Sequence, residues 1–398
     1  MTGRPISSGP AAEPGPAEAS RPLGLYLHIP FCSAICGYCN FNRGLFDAAL
    51  KTRYLAALRR EIETRGDGLP ADTVFFGGGT PSLLEPEEVA SAIDACRHAF
   101  DLAPDAEITL EANPESVDPG RLAGFRAAGV NRLSFGVQSF RDEELRRLDR
   151  LHTAARARAA VGEARAAGFD NLSLDLMLWL PQQTVQQCVA SVGALVELEP
   201  DHASLYLLEV YPNAPLREAM ARARWSQAPD DDAADMYVQA MERLERAGYR
   251  QYEISNVARP GLESRHNLKY WTDGEWLGFG CGAHSTRAGV RARNVAAVED
   301  YISVVASGGR AEAEARVLTA PERLEDALFT GLRLAAGIDP ELVRSRYGVD
   351  VWERFGGDLQ PFVDEGLLIY DGRALRLTRA GMLLAHEVMA VFIGSAVR

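Results

Sequence analysis

Lysine is almost absent from this chain of 398 residues: Lys51 and Lys269 are its only two lysines, and its other basic residues are arginines. The formal net charge is −13, and the basic residues do not cluster into a recognisable stretch. Binding to a nucleic acid backbone depends on a clustered basic face. We therefore expect no nucleic acid partner.

Long apolar runs are also missing. No stretch approaches the roughly 18 uninterrupted apolar residues that a membrane span needs, and the N-terminus lacks the apolar core of a secretory signal. Residues 1–22, rich in Pro, Ala, Gly and Ser, are expected to be a disordered tail. We expect a cytoplasmic protein that is not integral to a membrane. Thiols stay reduced in that compartment, so the six cysteines favour metal or redox chemistry over disulfides.

Short strand-like runs alternate with helix-like segments, which is typical of parallel strands covered by helices. The six strand candidates are 23–31, 72–79, 107–114, 132–139, 172–181 and 203–210. The helical segments between them lie near 47–65, 86–99, 118–128, 153–167 and 184–198. Since a closed barrel has eight such units, we predict an α/β fold in which residues 23–230 form an open, partial (β/α)6 barrel. Its working face should lie at the carboxyl ends of the strands.

The pattern changes after residue 230. A helix is followed by an aromatic and Gly-rich segment, and then by a mainly helical stretch. We predict a connecting segment over 231–310 and a smaller, mainly α-helical C-terminal domain over 311–398.

Three cysteines, Cys32, Cys36 and Cys39, follow the first predicted strand within eight positions. An odd number of neighbouring thiols cannot all pair in disulfides among themselves. Their C-x3-C-x2-C spacing differs from the paired C-x2-C motifs of structural zinc sites. Three thiolates on a four-iron cluster would leave one iron open to an outside ligand. A zinc site completed by His28, or cysteines without any ligand, are the alternatives.

Polar residues stand at the ends of the other predicted strands. The Gly-rich segment 75–84 is either a simple turn or a place where free backbone N–H groups hold a ligand. Glu111, Gln138 and Asp175 each have apolar neighbours in sequence. Burying such groups without a partner is costly, so each is expected to face a ligand or another polar group. Arg150 could pair with one of them or with a ligand carboxylate, or lie on the surface.

These segments, taken together and in order, carry a resemblance to a known family. YLHIPFCSAICGYC, GGGTPS, LEANPE, GVQSF, RLH and DLMLWLPQQT resemble the radical S-adenosylmethionine (SAM) superfamily. Within it they are similar to the oxygen-independent coproporphyrinogen III oxidase group, also called the dehydrogenase, and to its haem chaperone branch. The likeness covers residues 24 to about 395.

The resemblance implies two cofactors. Cys32, Cys36 and Cys39 would hold a [4Fe–4S] cluster whose open iron binds SAM. The residues that match the positions lining the SAM pocket are Tyr26, Tyr38, Gly78, Gly79, Thr80, Glu111, Gln138, Arg150 and Asp175. A zwitterionic, sugar-bearing cofactor suits such a mixture of carboxylates, amide, arginine and bare backbone.

Two features distinguish the haem chaperone branch from the dehydrogenase. The dehydrogenase is expected to have a further cysteine two places after the third one, where this chain has Phe41, as the chaperones do. The segment SRHNLKYW also fits the HNxxYW pattern associated with haem binding. It implies His266 as a ligand of haem iron, beside Tyr270 and Trp271 as flat apolar surface. From the residues alone, one histidine beside aromatic residues is more often a packed residue.

The resemblance therefore implies a haem chaperone that binds haem, carries a SAM-binding cluster, and passes haem to an acceptor haemoprotein such as a respiratory one. No catalytic residue is assigned, and whether the protein is an enzyme stays open. The alternative is an oxygen-independent coproporphyrinogen III dehydrogenase, which decarboxylates its substrate oxidatively.

Several residues depart from the family pattern or stand outside it. Trp179 and Gln182 occupy two positions where the family commonly has glycine, and Asn40 stands where the chaperones usually have aspartate. Cys281 and His284 are either further haem contacts or, respectively, a buried thiol and a loop histidine. Two more cysteines, Cys96 and Cys188, are expected to lie in the core.

Overall fold

The computed structural model describes residues 21–212 and 214–394. The predicted tail, 1–22, lies outside the described residues except for its last two. The strands, numbered in chain order, are β1 (Leu23–Ile29), β2 (Phe31–Cys32), β3 (Gly44–Leu45), β4 (Pro70–Gly78), β5 (Asp101–Ala112), β6 (Arg132–Gln138), β7 (Leu172–Leu178), β8 (His202–Leu207), β9 (Arg250–Glu253), β10 (Asn256–Ala258), β11 (Trp276–Phe279), β12 (His284–Arg287), β13 (Val290–Asn294), β14 (Glu312–Val317), β15 (Leu368–Tyr370) and β16 (Leu375–Leu377).

The α-helices are α1 (Ala48–Arg65), α2 (Pro86–Ala99), α3 (Pro119–Ala128), α4 (Asp142–Arg147), α5 (Ala154–Ala166), α6 (Val185–Glu197), α7 (Pro215–Ala223), α8 (Asp230–Arg246), α9 (Arg265–Trp271), α10 (Val298–Ala306), α11 (Ala320–Gly331), α12 (Pro340–Tyr347), α13 (Val351–Asp364), α14 (Arg379–Leu383) and α15 (Ala385–Ala390). Several begin as their sequences indicate. Asp47, Asp118 and Thr153 each cap a helix by accepting a hydrogen bond from a backbone N–H of its first turn.

A twelve-stranded mixed sheet dominates the fold, with the strand order β14-β13-β12-β11-β1-β4-β5-β6-β7-β8-β10-β9. The strands from β11 through β1 to β8 run parallel to one another. The outer strands on both sides are antiparallel to their neighbours. The six predicted strands correspond to β1 and to β4 through β8, so the predicted partial (β/α)6 barrel is confirmed.

The segment 231–310 contributes strands that the sequence did not reveal. It adds β9 and β10 at one edge of the sheet and β11, β12 and β13 at the other. Each of these strands has five residues or fewer, too few for an alternating pattern to stand out. The proposed division into four ranges stays a prediction, but the sheet itself continues past residue 230.

The C-terminal part is mainly helical, as predicted. Helices α11 to α15 and the hairpin of β15 and β16 enclose a separate apolar cluster that includes Leu328, Val351, Phe355, Leu375 and Phe392. None of the helices in the described ranges has both the length and the apolar character needed to cross a membrane.

The two faces of the parallel strands differ sharply in polarity. Side chains that point outward, towards the helices, are apolar and buried, for example Leu25, Phe76, Leu110 and Phe135. Because successive residues of a strand alternate between its faces, their neighbours point into the barrel. The inward residues are largely polar: Thr73, Thr109, Glu111, Arg132, Ser134, Ser173, Asp175, His202 and Ser204.

A buried carboxylate joins helix α1 to the outer strands beside β1. Glu61 accepts hydrogen bonds from Arg65 (2.9 Å) and from the backbone N–H of Gly280 (2.8 Å). Asn294 (2.8 Å) and the hydroxyl of Tyr301 (2.7 Å) also donate to it. Removing one member of such a buried, hydrogen-bonded network is strongly destabilising, because it leaves the remaining groups buried without their partners.

Glu61→Ala should therefore lower the free energy of unfolding by about 3 kcal/mol, because it removes the acceptor of the buried Gly280 N–H and Tyr301 hydroxyl and one of the anionic partners of Arg65. Urea unfolding followed by circular dichroism measures the loss. The matched control is Glu63→Ala, which removes an exposed carboxylate on the same helix and should change the stability by less than about 0.5 kcal/mol. Equal effects of the two substitutions would contradict this reading.

Candidate cofactor site

The three neighbouring cysteines lie on a loop at the carboxyl end of β1, the predicted working face. Cys32 ends the short strand β2 and is buried, while Cys36 and Cys39 are half-buried. The N–H of Cys39 donates to the carbonyl of Cys36 at 3.2 Å. None of these cysteines is in a disulfide.

The far end of the cysteine loop is anchored by Asn42. Its side-chain amide donates to the carbonyls of Cys281 (3.1 Å) and Ala296 (2.9 Å). The backbone carbonyl oxygen of Asn42 lies 2.7 Å from Nε2 of His28. Arg43 donates to the carbonyl of Cys39. The loop is thus held by residues far away in the sequence.

Polar side chains surround the thiols. Burial raises the pKa of Cys32 and of Cys39. Thr80 Oγ1 lies 3.6 Å from the Cys32 sulfur, and a guanidinium nitrogen of Arg150 lies 3.6 Å from the Cys36 sulfur. Donors and a positive charge stabilise thiolates, the form that binds metal. The donor set therefore fits a thiolate-bound cluster.

The zinc alternative fits less well. His28, its proposed fourth ligand, has both ring nitrogens within hydrogen-bond distance of other groups, the carbonyl of Asn42 and the hydroxyl of Tyr26 (3.2 Å). Within residues 21–212 and 214–394, no group of three His, Cys, Asp or Glu side chains is arranged to hold a metal ion. In a four-iron cluster each thiolate binds its own iron, so the sulfurs need not converge on one point.

The Gly-rich segment fastens β4 to the end of β1. The N–H groups of Gly79 and Thr80 donate to the carbonyls of Ile29 (2.7 Å) and Phe31 (2.8 Å). That of Gly78 donates to Glu111 at 3.2 Å. These N–H groups are thus bonded within the chain, as in the turn alternative, and the ligand-binding role of the segment stays a prediction. Gly78, with φ of 111°, adopts a backbone conformation that favours glycine.

Two carboxylates share the interior of the barrel. Burial, together with the neighbouring Asp175, raises the pKa of Glu111 to about 8. Burial also raises the pKa of Asp175, although hydroxyls oppose the rise. One of these, Ser134, donates to Asp175 at 3.2 Å. Both carboxylates thus have capacity to accept further hydrogen bonds from a ligand.

Arg150 is not on the surface. It donates to the side chain of Asn113 (2.7 Å) and to the carbonyl of Gly136 (2.7 Å), in addition to its contact with Cys36. The expected partners were the carboxylates and Gln138, whereas the structure pairs this arginine with an amide, a carbonyl and a thiol. Its buried Nε has no hydrogen-bond partner, so one donor remains for a ligand.

Gln138 and Tyr38 stand at the rim of the barrel. Gln138 ends β6 after a register shift and has a φ of 64°, which is unfavourable for any residue but glycine. Tyr38 packs against an apolar cluster formed by Leu148, Met177, Leu180, Leu208 and Leu216. The N–H of Leu216 donates to the carbonyl of Gly37 at 2.9 Å, so the start of α7 rests on the cysteine loop.

Tyr26 lies deeper in the barrel. Its ring is stacked on that of Phe75 at 6.2 Å and lies 6.4 Å from that of His266. The structure thus brings together most of the predicted pocket residues at the carboxyl ends of the strands, while His266 lies deeper and is near Tyr26 of this set.

His266 lies towards the amino-terminal end of β4, at the end of the barrel away from the cysteine loop. Its Nδ1 is 2.8 Å from Oγ1 of Thr73, and its Nε2 is 3.0 Å from the hydroxyl of Tyr270. The ring is buried, stacks on Phe75 at 5.1 Å, and burial lowers its pKa to about 3. Both nitrogens are thus engaged, and binding of haem iron by this ring requires breaking one of these hydrogen bonds.

The aromatic residues after His266 are also packed. Tyr270 meets Trp276 edge to face at 4.7 Å, and the guanidinium of Arg333 lies 4.4 Å from the ring of Trp271. The expected flat surface for a porphyrin is therefore covered in part by other side chains of the chain itself.

The two departures from glycine have a structural explanation. Trp179 and Gln182 both have a φ of 62°, the conformation that glycine adopts most easily. The indole N–H of Trp179 donates to the carbonyl of Ala228 (2.8 Å), and the amide of Gln182 donates to Ser226 (3.2 Å). These bonds hold the segment before α8 against the rim and offset part of the backbone strain.

The other three cysteines and His284 lie away from the cysteine loop in the sequence, and the structure shows their surroundings. Cys96, Cys188 and Cys281 are buried in the core, which confirms the expectation for the first two and favours the buried-thiol reading of the third. His284 is exposed in β12. Sequence reasoning missed Arg132, a buried arginine at the start of β6. A charged residue directly before a strand-like run was its only signal.

The comparisons agree with this architecture. Residues 26–195 match the radical SAM superfamily, and residues 318–384 match the HemN C-terminal domain. The heme chaperone HemW of Bacillus subtilis is 37% identical over 93% of this chain and 98% of its own length. The heme chaperone HemW of Mycobacterium tuberculosis is 40% identical over 97% of both chains. The structure of coproporphyrinogen III oxidase (HemN) from Escherichia coli has a TM-score of 0.84 and 26% identity, covering 94% of this chain and 91% of that chain.

A partial parallel barrel with three cysteines at its carboxyl end is the architecture of a radical SAM protein, a class that uses SAM and a [4Fe–4S] cluster. Within this superfamily the chain belongs to the family of its HemW relatives.

Gly79→Ala should disrupt the cysteine loop. A Cβ at this position would lie 2.7 Å from the carbonyl oxygen of Phe31 and 2.8 Å from that of Ile29, and neither backbone atom can move aside freely. We expect a loss of about 2 kcal/mol in stability and less iron bound per chain after anaerobic reconstitution.

Gly162→Ala is the matched control, because nothing lies within 4 Å of the added carbon in helix α5. It should be neutral or stabilising by up to about 1 kcal/mol. Full iron content in Gly79→Ala would show that the close approach of β4 and β1 does not shape the loop.

Proposed function

We propose that this protein is a haem chaperone: it binds haem and transfers it to an acceptor haemoprotein, and it carries a SAM-binding [4Fe–4S] cluster. The observation that carries the proposal is the likeness to two proteins named heme chaperone HemW over more than nine-tenths of the chain. Phe41, exposed in the cysteine loop, occupies the place where the dehydrogenase is expected to have a further cysteine. A cytoplasmic location and a respiratory acceptor belong to the same proposal.

In this proposal Cys32, Cys36 and Cys39 hold the cluster, with Thr80 and Arg150 beside the thiolates. A cluster held there would supply an electron for reductive cleavage of SAM, chemistry that belongs to the cofactor; whether this protein uses it stays open. The residues that would bind SAM are Tyr26, Tyr38, Gly78, Gly79, Thr80, Glu111, Gln138, Arg150 and Asp175. Two observations support this set. Glu111 and Asp175 are buried carboxyl groups that can accept hydrogen bonds, and the Nε of Arg150 is a buried donor without a partner.

The haem part of the proposal concerns the segment 231–310 and His266. The ring of His266 is neutral, as an iron ligand must be, but it is closed off by Thr73 and Tyr270. We therefore propose that haem iron competes with these hydrogen bonds and binds after α9 moves away from β4.

A coproporphyrinogen III dehydrogenase is the second candidate, because the HemN structure matches nearly the whole fold. An anaerobic assay that yields protoporphyrinogen from coproporphyrinogen would favour it over the chaperone. We expect no product in this assay.

Cys36→Ala should abolish the cluster. Anaerobically reconstituted wild-type protein should contain iron and acid-labile sulfide, and the variant should contain little of either, because the cluster loses one of its three thiolates. Cys188→Ala, which removes a buried thiol from α6, is the control and should keep both. Zinc without sulfide in the wild-type protein would refute the cluster.

Haem binding is tested by a matched pair of substitutions around one hydrogen bond. His266→Ala should weaken binding in a Soret titration at least tenfold. Thr73→Val should leave haem binding intact or tighten it, because it removes a competitor of the iron but keeps the imidazole. Unchanged binding in His266→Ala would refute this residue as the ligand. Failure of haem-loaded wild-type protein to transfer haem to an apo-haemoprotein would refute the chaperone.

A further inference from the structure

A buried arginine lies at the amino-terminal end of the parallel strands, which we call the floor of the barrel. Arg132, the first residue of β6, has only 2% of its surface exposed. It pairs in register with Thr109 of β5, so both side chains are on the inward face. Its Nε has no hydrogen-bond partner, and the hydroxyl of Thr109 has none either. A buried cation without a direct counter-ion is costly, which calls for an explanation.

The register of the strands places two carboxylates above this arginine. Glu111 of β5 stands level with Ser134, two residues further along β6 than Arg132. Asp175 of β7 stands level with Gly136, and it reaches back to the hydroxyl of Ser134. Two residues of a strand span roughly 6.6 Å, about the reach of an extended arginine side chain. Arg132 therefore lies on the inward face one step below Glu111, and Asp175 is linked to the same level of the barrel through its hydrogen bond with Ser134.

The charge of Arg132 acts on the whole interior. It opposes the rise in the pKa of Glu111 and of Asp175, and it contributes to the low pKa of His202 and of His266. Further titratable groups face this interior from β1, β5, β8, β9 and α9. They are Tyr26, His28, Glu107, Tyr206, Tyr252, Glu253, Lys269 and Tyr270. Glu107 accepts a hydrogen bond from the N–H of His266, and Glu253 forms an ion pair with Arg333. The tyrosines and histidines are neutral near pH 7, and Lys269 forms an ion pair with Asp72.

We propose that Arg132 is a positioning residue of the SAM pocket: from the floor of the barrel its positive charge favours the carboxylate forms of Glu111 and Asp175 over their protonated forms. A carboxylate accepts hydrogen bonds from the hydroxyl and ammonium groups that SAM presents. This inference rests on the proposed function only in that SAM is the ligand of the pocket; haem plays no part in it.

Removing the positive charge of Arg132 should change the pKa of Glu111 in one direction. The pKa of Glu111 is already about 8 because of burial and Asp175. Removing the positive charge of Arg132 raises it further, so the carboxylate forms only at a more alkaline pH. SAM affinity should then fall at neutral pH and recover as the pH rises. A purely structural role would weaken binding by the same factor at every pH.

The experiment measures the dissociation constant of SAM by equilibrium dialysis on anaerobically reconstituted protein, from about pH 6 to about pH 9.5. Arg132→Met and Arg132→Gln should shift the pH dependence to higher pH by about one unit, a roughly tenfold loss of affinity at neutral pH. Arg132→Lys should keep the wild-type profile because it restores the charge. Thr109→Val, which changes a neutral inward neighbour, is the matched control and should not shift the profile.

Folding is checked by circular dichroism, and the lysine and glutamine variants keep the test valid if the methionine variant is unstable. A profile in Arg132→Gln that is unshifted, or lowered equally at all pH values, overturns the inference. If wild-type protein binds SAM with this pH dependence but does not bind haem, the chaperone proposal fails and the inference stands. If wild-type protein binds no SAM at any pH, both fail.

Discussion

The alternation of polar and apolar side chains along the parallel strands is the constraint on which this molecule depends. The outward positions fill an apolar core beneath the helices, and the inward positions gather carboxylates, hydroxyls, histidines and an arginine. An interior of this kind is stable only if its polar groups find partners. Some partners are present, such as the hydroxyl of Ser134 for Asp175. Others are missing: the buried Nε atoms of Arg150 and Arg132 have no hydrogen-bond partner among the described residues.

The core of the architecture could be read from the sequence because its signals are local and strong. Strands β1 and β4 to β8 are runs of apolar residues bounded by turns, and the helices between them carry caps and end near glycines. The predicted ranges therefore agree with the structure to within a few residues, apart from the longer start of β5. The flanking strands were missed because each is short and gains its stability from pairing with the edge of an existing sheet, which no local pattern records.

The site was predicted unevenly for a similar reason. The three cysteines could be singled out by their spacing. Glu111 and Asp175 could be singled out because they are carboxylates between apolar residues. The surroundings of Arg150 stayed open in the sequence because its partners, Asn113 and Gly136, are contributed by other strand ends and are not recognisable as partners there. The motif around His266 shows the limit of pattern alone. It identifies a histidine beside aromatic residues, but only the structure shows that its ring is closed in by Thr73, Phe75 and Tyr270.

The anchoring of the cysteine loop has a consequence for how the protein is made. Asn42 bonds to Ala296, which follows it by 254 positions. At a synthesis rate of about 5 to 20 residues per second, the thiols leave the ribosome roughly 10 to 50 seconds before their anchor exists. During that interval the thiols lie on a nascent segment whose loop is not yet anchored, where metal ions and oxidants can reach them. The cysteine loop therefore reaches its anchored form only after translation has passed the outer strands, and assembly of the proposed cluster on that form would follow synthesis.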